Sequence, residues 1–170
     1  QSDFMKQTPD GSHYWLEIDG LVPGQEYIFQ YFIDGEVRIG GPYADKTSDP
    51  WNDQYIDDNT YPGLIDYPAG KTTGIATVLQ TSQEPYIWEI EQFTTAAATD
   101  LIIYELLVRD FTTLHSYAAI IDKLDYLESL GINVVELMPV NEFEGNLSWG
   151  YNPSFYFAPD KYYGPKNELK

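Results

Sequence analysis

Residues 101–140 decide the fold, and they read LIIYELLVRDFTTLHSYAAIIDKLDYLESLGINVVELMPV. The run 101–106 is almost continuously apolar, which is typical of a buried parallel strand. Ser116 is a suitable helix N-cap, and Gly131 occupies the position of a C′ glycine after a helical pattern. Residues 132–140 predict a second buried strand. This order predicts a right-handed β-α-β crossover, with functional residues at the carboxyl ends of both strands.

The amino-terminal part predicts an all-β arrangement of short strands. Alternation predicts a strand at 13–19, and an aromatic, β-branched run predicts another at 27–33. The pair Asp34-Gly35 is a hairpin signal before a return strand at 36–39. Such strands are typical of a β-sandwich. Because three strands cannot form two packed sheets, either strands are missing before Gln1 or the second sheet comes from the middle of the chain, and we expect an incomplete sandwich.

The middle of the chain is rich in Pro, Gly, Asp, Asn and Thr and has little periodicity. Its short strand candidates are 55–56 and 75–79, and we predict that Trp88 and Phe93 anchor this stretch on a neighbour. The resulting division has three parts. An amino-terminal sandwich with an irregular extension covers 1–85, a linker covers 86–99, and the β-α-β portion covers 100–170.

Charge and composition exclude several classes of function. The net charge is -18, from 9 Lys plus Arg against 27 Asp plus Glu, so neither nucleic acid nor an anionic membrane surface is expected as a partner. No cysteine is present, which excludes disulfides and thiolate metal sites. No apolar run is long enough to span a bilayer, and no signal peptide is visible. Localisation stays open between an extracytoplasmic and a cytoplasmic site.

Several motifs occur in a characteristic order along the chain. They are IYELLVRDFT at 103–112, the helical pattern at 124–131, VELMPV at 135–140, WGYNP at 149–153, FYFAP at 155–159 and YYG at 162–164. In these motifs the chain resembles the α-amylase family of glycoside hydrolases. The resemblance implies the start of a catalytic α/β (β/α)8 TIM barrel after an immunoglobulin-like β-sandwich of the early-set type. Residues 40–45, GGPYAD, are similar to a motif that follows the sandwich in many relatives, although Gly41 replaces the usual acid.

The resemblance also implies an activity. Family members act on α-glucans such as starch, glycogen, pullulan or maltooligosaccharides, with retention and through two carboxyl groups. The resemblance places those catalytic acids beyond Lys170, so no catalytic residue is assigned here, and the 170-residue chain is expected to be inactive alone. His13 and His115 match no histidine of the family. No cofactor or metal is expected within this chain, because Asp57-Asp58-Asn59 lacks the spacing of a calcium loop. The resemblance allows a calcium site in the full-length enzyme.

One residue carries over to substrate binding. Tyr151 matches the tyrosine that stacks on the sugar ring beside the scissile bond, and Trp149 and Asn152 are neighbouring substrate-binding candidates. A second aromatic group in the middle segment could form either a sugar platform or packing contacts, and we predict packing. Its members are Trp51, Tyr55 and Tyr61.

Charged residues near the strand ends are predicted to be structural. Glu142 and Glu144 follow the second strand and are expected to be solvated rather than catalytic. Glu136 falls inside that strand and is expected to pair with a neighbour. Arg109-Asp110 is expected to form a local ion pair at the end of the first strand.

Alternative functions remain open at this stage. One is a 1,4-α-glucan branching-type transglycosylase, and another is a non-catalytic carbohydrate-binding module built on the sandwich and its aromatic residues. A third is a scaffold protein that associates through exposed strand edges. The expected partner is an α-glucan polysaccharide or oligosaccharide, with self-association through the edges of incomplete domains.

Overall fold

A computed structural model describes residues 2–90 and 92–170. Within these ranges the chain is rich in short strands, which form several small sheets, and has few helices. The strands are β1 (Lys6–Gln7), β2 (Tyr14–Trp15), β3 (Glu26–Phe29), β4 (Tyr31–Ile33), β5 (Val37–Ile39), β6 (Thr47–Ser48), β7 (Ala76–Gln80), β8 (Ile103–Leu106), β9 (Val134–Leu137), β10 (Asn141–Phe143) and β11 (Pro153–Pro159). The helices are α1 (Val108–Phe111), α2 (Tyr117–Ile121), α3 (Leu124–Ser129) and α4 (Lys166–Leu169).

The predicted strand at 27–33 is wrong as a single element, because the chain changes sheets at Gln30. β3 pairs with β7 in a three-stranded antiparallel sheet with β6, whereas β4 pairs with β5. The Gln30 side-chain amide donates to the carbonyl oxygens of Thr73 and Ile75, both at 2.9 Å. These bonds hold the chain at the point where it leaves one sheet for the other.

The hairpin predicted at Asp34-Gly35 is confirmed. β4 and β5 pair antiparallel, and Asp34 and Gly35 both adopt positive φ, at 53° and 75°. The strand predicted at 13–19 shrinks to β2, which pairs with β1, a strand that the sequence pattern missed. In the middle segment β7 confirms the prediction at 75–79, whereas 55–56 is not a strand, because Asp53–Tyr55 forms a 3-10 turn.

The β-α-β prediction is confirmed in its main elements. β8 and β9 are parallel, with Ile103 beside Val134 and Leu106 beside Leu137. The Ser116 hydroxyl accepts a hydrogen bond from the Ala119 amide at 3.2 Å and so caps α2. The predicted helix is interrupted between α2 and α3, and β9 is shorter than the predicted strand at 132–140. β10 and β11 form an antiparallel pair that the sequence pattern did not predict.

The two faces of the parallel pair differ sharply. One face carries Leu106 into the main hydrophobic core, whose buried members are Leu106, Val108, Tyr117, Ile120, Leu127, Phe143 and Tyr163. The opposite face is exposed and places Glu105 directly beside Glu136 in the register. Among the described residues no ion pair holds Glu136, so its predicted pairing with a neighbour is wrong.

Several aromatic residues of the middle segment are exposed rather than packed. Trp51 and Tyr55 face solvent, which overturns the prediction of core or interdomain packing for both. Tyr61 is half-buried, with the Lys46 ammonium 4.6 Å from the centre of its ring. Trp88 and Phe93 are also exposed, so the prediction that they anchor the stretch on a neighbour is wrong.

The small sheets leave strand edges open, and self-association through those edges stays a prediction. Across residues 2–90 and 92–170, none of the helices is both long enough and apolar enough to cross a bilayer.

Candidate functional site

The loop between β10 and β11, residues 144–152, lies against the carboxyl end of β9. Gly150 is buried and has a φ of 86°. A Cβ at Gly150 would lie 2.9 Å from Pro139 Cβ and would also collide with the Pro139 carbonyl oxygen. The loop backbone therefore approaches Pro139 more closely than any residue except glycine allows, two residues beyond the end of β9.

Arg109 fastens the same loop to the carboxyl end of β8. Its guanidinium donates to the Leu147 carbonyl oxygen at 2.6 Å. It also makes two bonds to the Asp110 carboxylate, at 2.6 and 2.8 Å, so the predicted Arg109-Asp110 ion pair is confirmed. The side-chain bond to Arg109 lowers the pKa of Asp110. Both parallel strands thus help to position one loop.

The structure brings the three predicted substrate-binding residues together in this loop. The side chains of Tyr151 and Trp149 are 67% and 62% exposed, and Asn152 is also exposed. The Ser148 hydroxyl bonds to the Asn152 side-chain oxygen and accepts the Gly150 amide at 3.0 Å. The loop therefore presents two flat apolar rings and an amide on a backbone that is held internally. Such a surface can stack on a sugar ring and form hydrogen bonds with its hydroxyl groups.

A buried ionic cluster, formed by Asp53, Glu142, Asp160 and Lys161, lies behind the loop. The Lys161 side chain is 2% exposed, and its ammonium lies 3.3 Å from the Asp53 carboxylate and pairs with Glu142. It also donates to the Thr47 hydroxyl at 2.6 Å. The prediction that Glu142 is solvated is wrong, because β10 carries its side chain inward to Lys161. Glu144, in contrast, is exposed as predicted.

The electrostatics of the ionic cluster follow from burying three carboxyl groups around one ammonium. Burial, together with the Glu142 carboxylate, raises the pKa of Asp160 to about 8. Burial also raises the pKa of Asp53. Burial disfavours the charge on Lys161, but the Glu142 and Asp53 carboxylates outweigh it and raise the lysine pKa. The cluster therefore keeps its ammonium charged and retains a proton among its acids at neutral pH.

The ionic cluster has a structural role and is not a catalytic carboxyl pair. Asp160 accepts the amides of Tyr162 and Phe143 at 2.9 and 3.2 Å, and Glu142 is occupied by Lys161. Glycoside hydrolysis needs two carboxyl groups that flank an open substrate site. These acids instead face each other inside the protein. Among the described residues no group of three His, Asp or Glu side chains is arranged to hold a metal ion.

No family model matches the chain, but several curated proteins do. A malto-oligosyltrehalose trehalohydrolase of Deinococcus radiodurans is 37% identical over 159 residues, covering 94% of this chain and 22% of that protein. Isoamylase 1 of Arabidopsis thaliana, from the chloroplast, is 35% identical over 149 residues, covering 82% of this chain and 17% of that protein. The chain thus spans about a fifth of the length of these relatives.

Solved structures agree with these relatives. A Salmonella typhimurium protein described as a candidate α-amylase matches with a TM-score of 0.69 over 97% of this chain and 24% of its own, at 23% identity, which shows the shared fold. A group B Streptococcus pullulanase in complex with maltotetraose matches with a TM-score of 0.55 over 84% of this chain and 21% of its own, at 28% identity. The chain belongs to the α-amylase family of glycoside hydrolases.

In this α-amylase-family chain, motif reasoning located the exposed loop but missed the ionic cluster beneath it. One signal for the cluster was available. Lys161 follows a stretch from 124 to 160 that contains neither Lys nor Arg, and aromatic residues surround it. A lone basic residue in an aromatic stretch of a strongly acidic chain is a candidate for a buried ion pair. Nothing comparable pointed to Asp53, which lies far away in the sequence.

The raised pKa of Asp160 predicts a pH dependence for this α-amylase-family chain. Its carboxyl pKa is about 8 in the folded protein against a reference value of 3.8, so between these values the folded state holds a proton that the unfolded state releases. The free energy of unfolding should therefore fall as the pH rises from about 4 to about 8. Burial and the Glu142 carboxylate raise the pKa of this carboxyl group, whereas Lys161 and the amides of Tyr162 and Phe143 lower it.

Urea unfolding at pH 5 and pH 8 measures this slope, and Asp160→Asn is the matched variant. The asparagine can still accept the Tyr162 amide but cannot titrate. We expect the slope to flatten in the variant. An unchanged slope would mean that the pH dependence arises elsewhere in this acidic chain.

Proposed function

We propose that this chain forms the opening of a catalytic domain that acts on α-glucans. β8 and β9 then serve as the first two strands of a (β/α)8 barrel, with α2 and α3 in the crossover between them. Residues 1–85 supply an incomplete immunoglobulin-like β-sandwich, and 86–99 act as the linker. Parallel strands joined through helices support the barrel assignment, because barrels of this class repeat that unit.

The observation that carries the proposal is the exposure of Tyr151 at the carboxyl ends of the parallel strands. Active sites of barrel enzymes gather at that end. The Tyr151 ring is 67% exposed on a loop held by Pro139 and Arg109. In this proposal it stacks on a glucose ring next to the bond that is cleaved, with Trp149 and Asn152 beside it.

We assign the retaining chemistry of the whole protein to carboxyl groups that this chain does not carry. The acids that follow β9 are unsuited to it, since Glu142 is buried and paired with Lys161. We therefore expect the 170-residue chain to bind α-glucan without releasing reducing sugar. Hydrolysis and branching-type transfer share this binding surface and differ in residues outside it.

Substitution of Tyr151 by alanine tests the proposal. Loss of one stacking face should weaken the binding of maltotetraose by about tenfold. Isothermal titration calorimetry of the 170-residue chain with maltotetraose measures this change. Tyr126→Ala is the matched control, because Tyr126 is a 57% exposed tyrosine on α3 and should not affect binding. Equal affinities for Tyr151→Ala and the unchanged chain would contradict the proposal.

A non-catalytic carbohydrate-binding module is the second candidate, favoured by the exposed Trp51 outside the loop. In that case the glucan contacts would lie on the middle segment alone. The same titration separates the two functions, because a module of this kind would bind maltotetraose equally well after Tyr151→Ala.

A further inference from the structure

Trp51 and Tyr55 combine high exposure with a hydrogen-bonded backbone. Their side chains are 59% and 70% exposed, although both lie on the Trp51 turn, which we define as residues 49–55. Large apolar rings at the surface lose the free energy that burial would provide. Exposure alone does not distinguish these two rings, because Trp88 is 58% exposed as well, so the contacts of the turn must do so.

Polar groups of the Trp51 turn form hydrogen bonds with one another. The Asp49 carboxylate accepts the amides of Trp51 and Asn52 at 2.7 and 3.3 Å. Asp53 accepts the Asp49 amide at 2.8 Å, and the Gln54 side chain donates to the Trp51 carbonyl oxygen at 2.9 Å. A ring on such a preorganised turn loses little conformational freedom when a ligand binds.

The Trp51 turn is also joined to the loop that carries Tyr151. The Asn146 side-chain amide donates to the Asn52 carbonyl oxygen at 3.0 Å, and the same oxygen accepts the Tyr55 amide at 3.1 Å. Beneath the surface, Lys161 bridges Asp53 of the turn and Glu142 of β10. The Trp51 turn and the loop that carries Tyr151 are thus connected by a hydrogen bond, and the Lys161 ammonium links the turn to β10 beneath them.

We propose that Trp51 and Tyr55 form a second α-glucan contact surface, which extends the path of a long glucan chain away from Tyr151. The inference rests on the proposed function, because it takes the Tyr151 loop as the first contact. The chemistry favours an uncharged sugar polymer, since flat aromatic faces stack on the C–H faces of pyranose rings and the net charge of -18 repels polyanions. Two linked contacts raise the affinity for a polymer through effective concentration.

Affinity electrophoresis of the 170-residue chain in amylopectin gels tests this surface. Trp51→Ala should weaken the affinity for amylopectin by about fivefold, and Tyr55→Ala should weaken it in the same direction. Trp88→Ala is the matched control, because Trp88 is a 58% exposed tryptophan outside both surfaces, and its retardation should equal that of the unchanged chain. Urea midpoints check that the variants remain folded.

The outcomes separate this inference from the proposed function. Unchanged retardation of both Trp51→Ala and Tyr55→Ala would overturn the second surface, even if Tyr151→Ala weakens binding. Loss of retardation in Trp51→Ala with full retardation in Tyr151→Ala would overturn the proposed role of Tyr151 and the path between the two surfaces, and it would favour the carbohydrate-binding module. A loss in Trp88→Ala equal to that in Trp51→Ala would overturn the assignment to the Trp51 turn.

Discussion

Replacement of Lys161 by methionine should lower the free energy of unfolding by about 3–5 kcal/mol, the range measured when one partner of a buried ion pair is removed. The Lys161 ammonium lies among the carboxyl groups of Asp53, Glu142 and Asp160 and is itself 2% exposed. Methionine fills a similar volume, so the loss comes from uncompensated charge rather than from a cavity. The Thr47 hydroxyl also loses its partner.

Urea unfolding at pH 7, followed by tryptophan fluorescence, measures this loss. Lys166→Met is the matched control, because Lys166 pairs with Asp45 at 2.6 Å through side chains that are 35% and 46% exposed. A pair so open to solvent should contribute less than about 1 kcal/mol. Comparable losses of unfolding free energy in the two variants would show that the ionic cluster stabilises the fold no more than an exposed ion pair does.

Gly150→Ala should be the second most damaging change, with an expected loss of about 2–4 kcal/mol from left-handed backbone strain and overpacking. The glycine has a φ of 86°, and an added Cβ would lie 2.9 Å from Pro139 Cβ and press on the Pro139 carbonyl oxygen. The loop must move away from β9 to make room. Tyr151 would move with it, so maltotetraose binding should weaken as well.

Gly145→Ala in the same loop separates the cost of backbone strain from the cost of a steric clash with Pro139. Gly145 has a φ of 77°, but a Cβ there would meet open space. Its replacement should cost about 1 kcal/mol and leave maltotetraose binding unchanged. Urea midpoints and calorimetric titration of both variants measure the difference. If the two alanine variants behave alike, the close approach to Pro139 does not position Tyr151.

Local signals in the sequence predicted the elements whose causes are themselves local. The hairpin at Asp34-Gly35 depends on two residues that tolerate positive φ, and the start of α2 depends on the Ser116 hydroxyl. The parallel pairing of β8 and β9 followed from apolar runs separated by a helical pattern. Each of these features can be read within a window of about ten to forty residues.

The errors arose where distant residues decide the structure. The acids at 142 and 144 look alike in sequence, yet the pairing of β10 with β11 turns Glu142 inward to Lys161. The pattern at 27–33 predicts one strand, whereas the chain changes sheets at Gln30, whose side-chain amide bonds to the distant Thr73. For Trp51 the apolar ring suggests packing, whereas the Trp51 amide donates to the Asp49 carboxylate in a turn whose ring faces outward.

The ionic cluster also sets an order of events during synthesis. Lys161 is separated by 114 residues from Thr47, whose hydroxyl it contacts. Until the ribosome has added that lysine, Asp53 and Glu142 have no ammonium to pair with, and both carboxylates favour water. Contacts of such long sequence separation close late and slow folding. The bonds within the Trp51 turn need only nearby residues, but the nascent chain cannot join that turn to β10 through Lys161 before residues 142–161 have emerged.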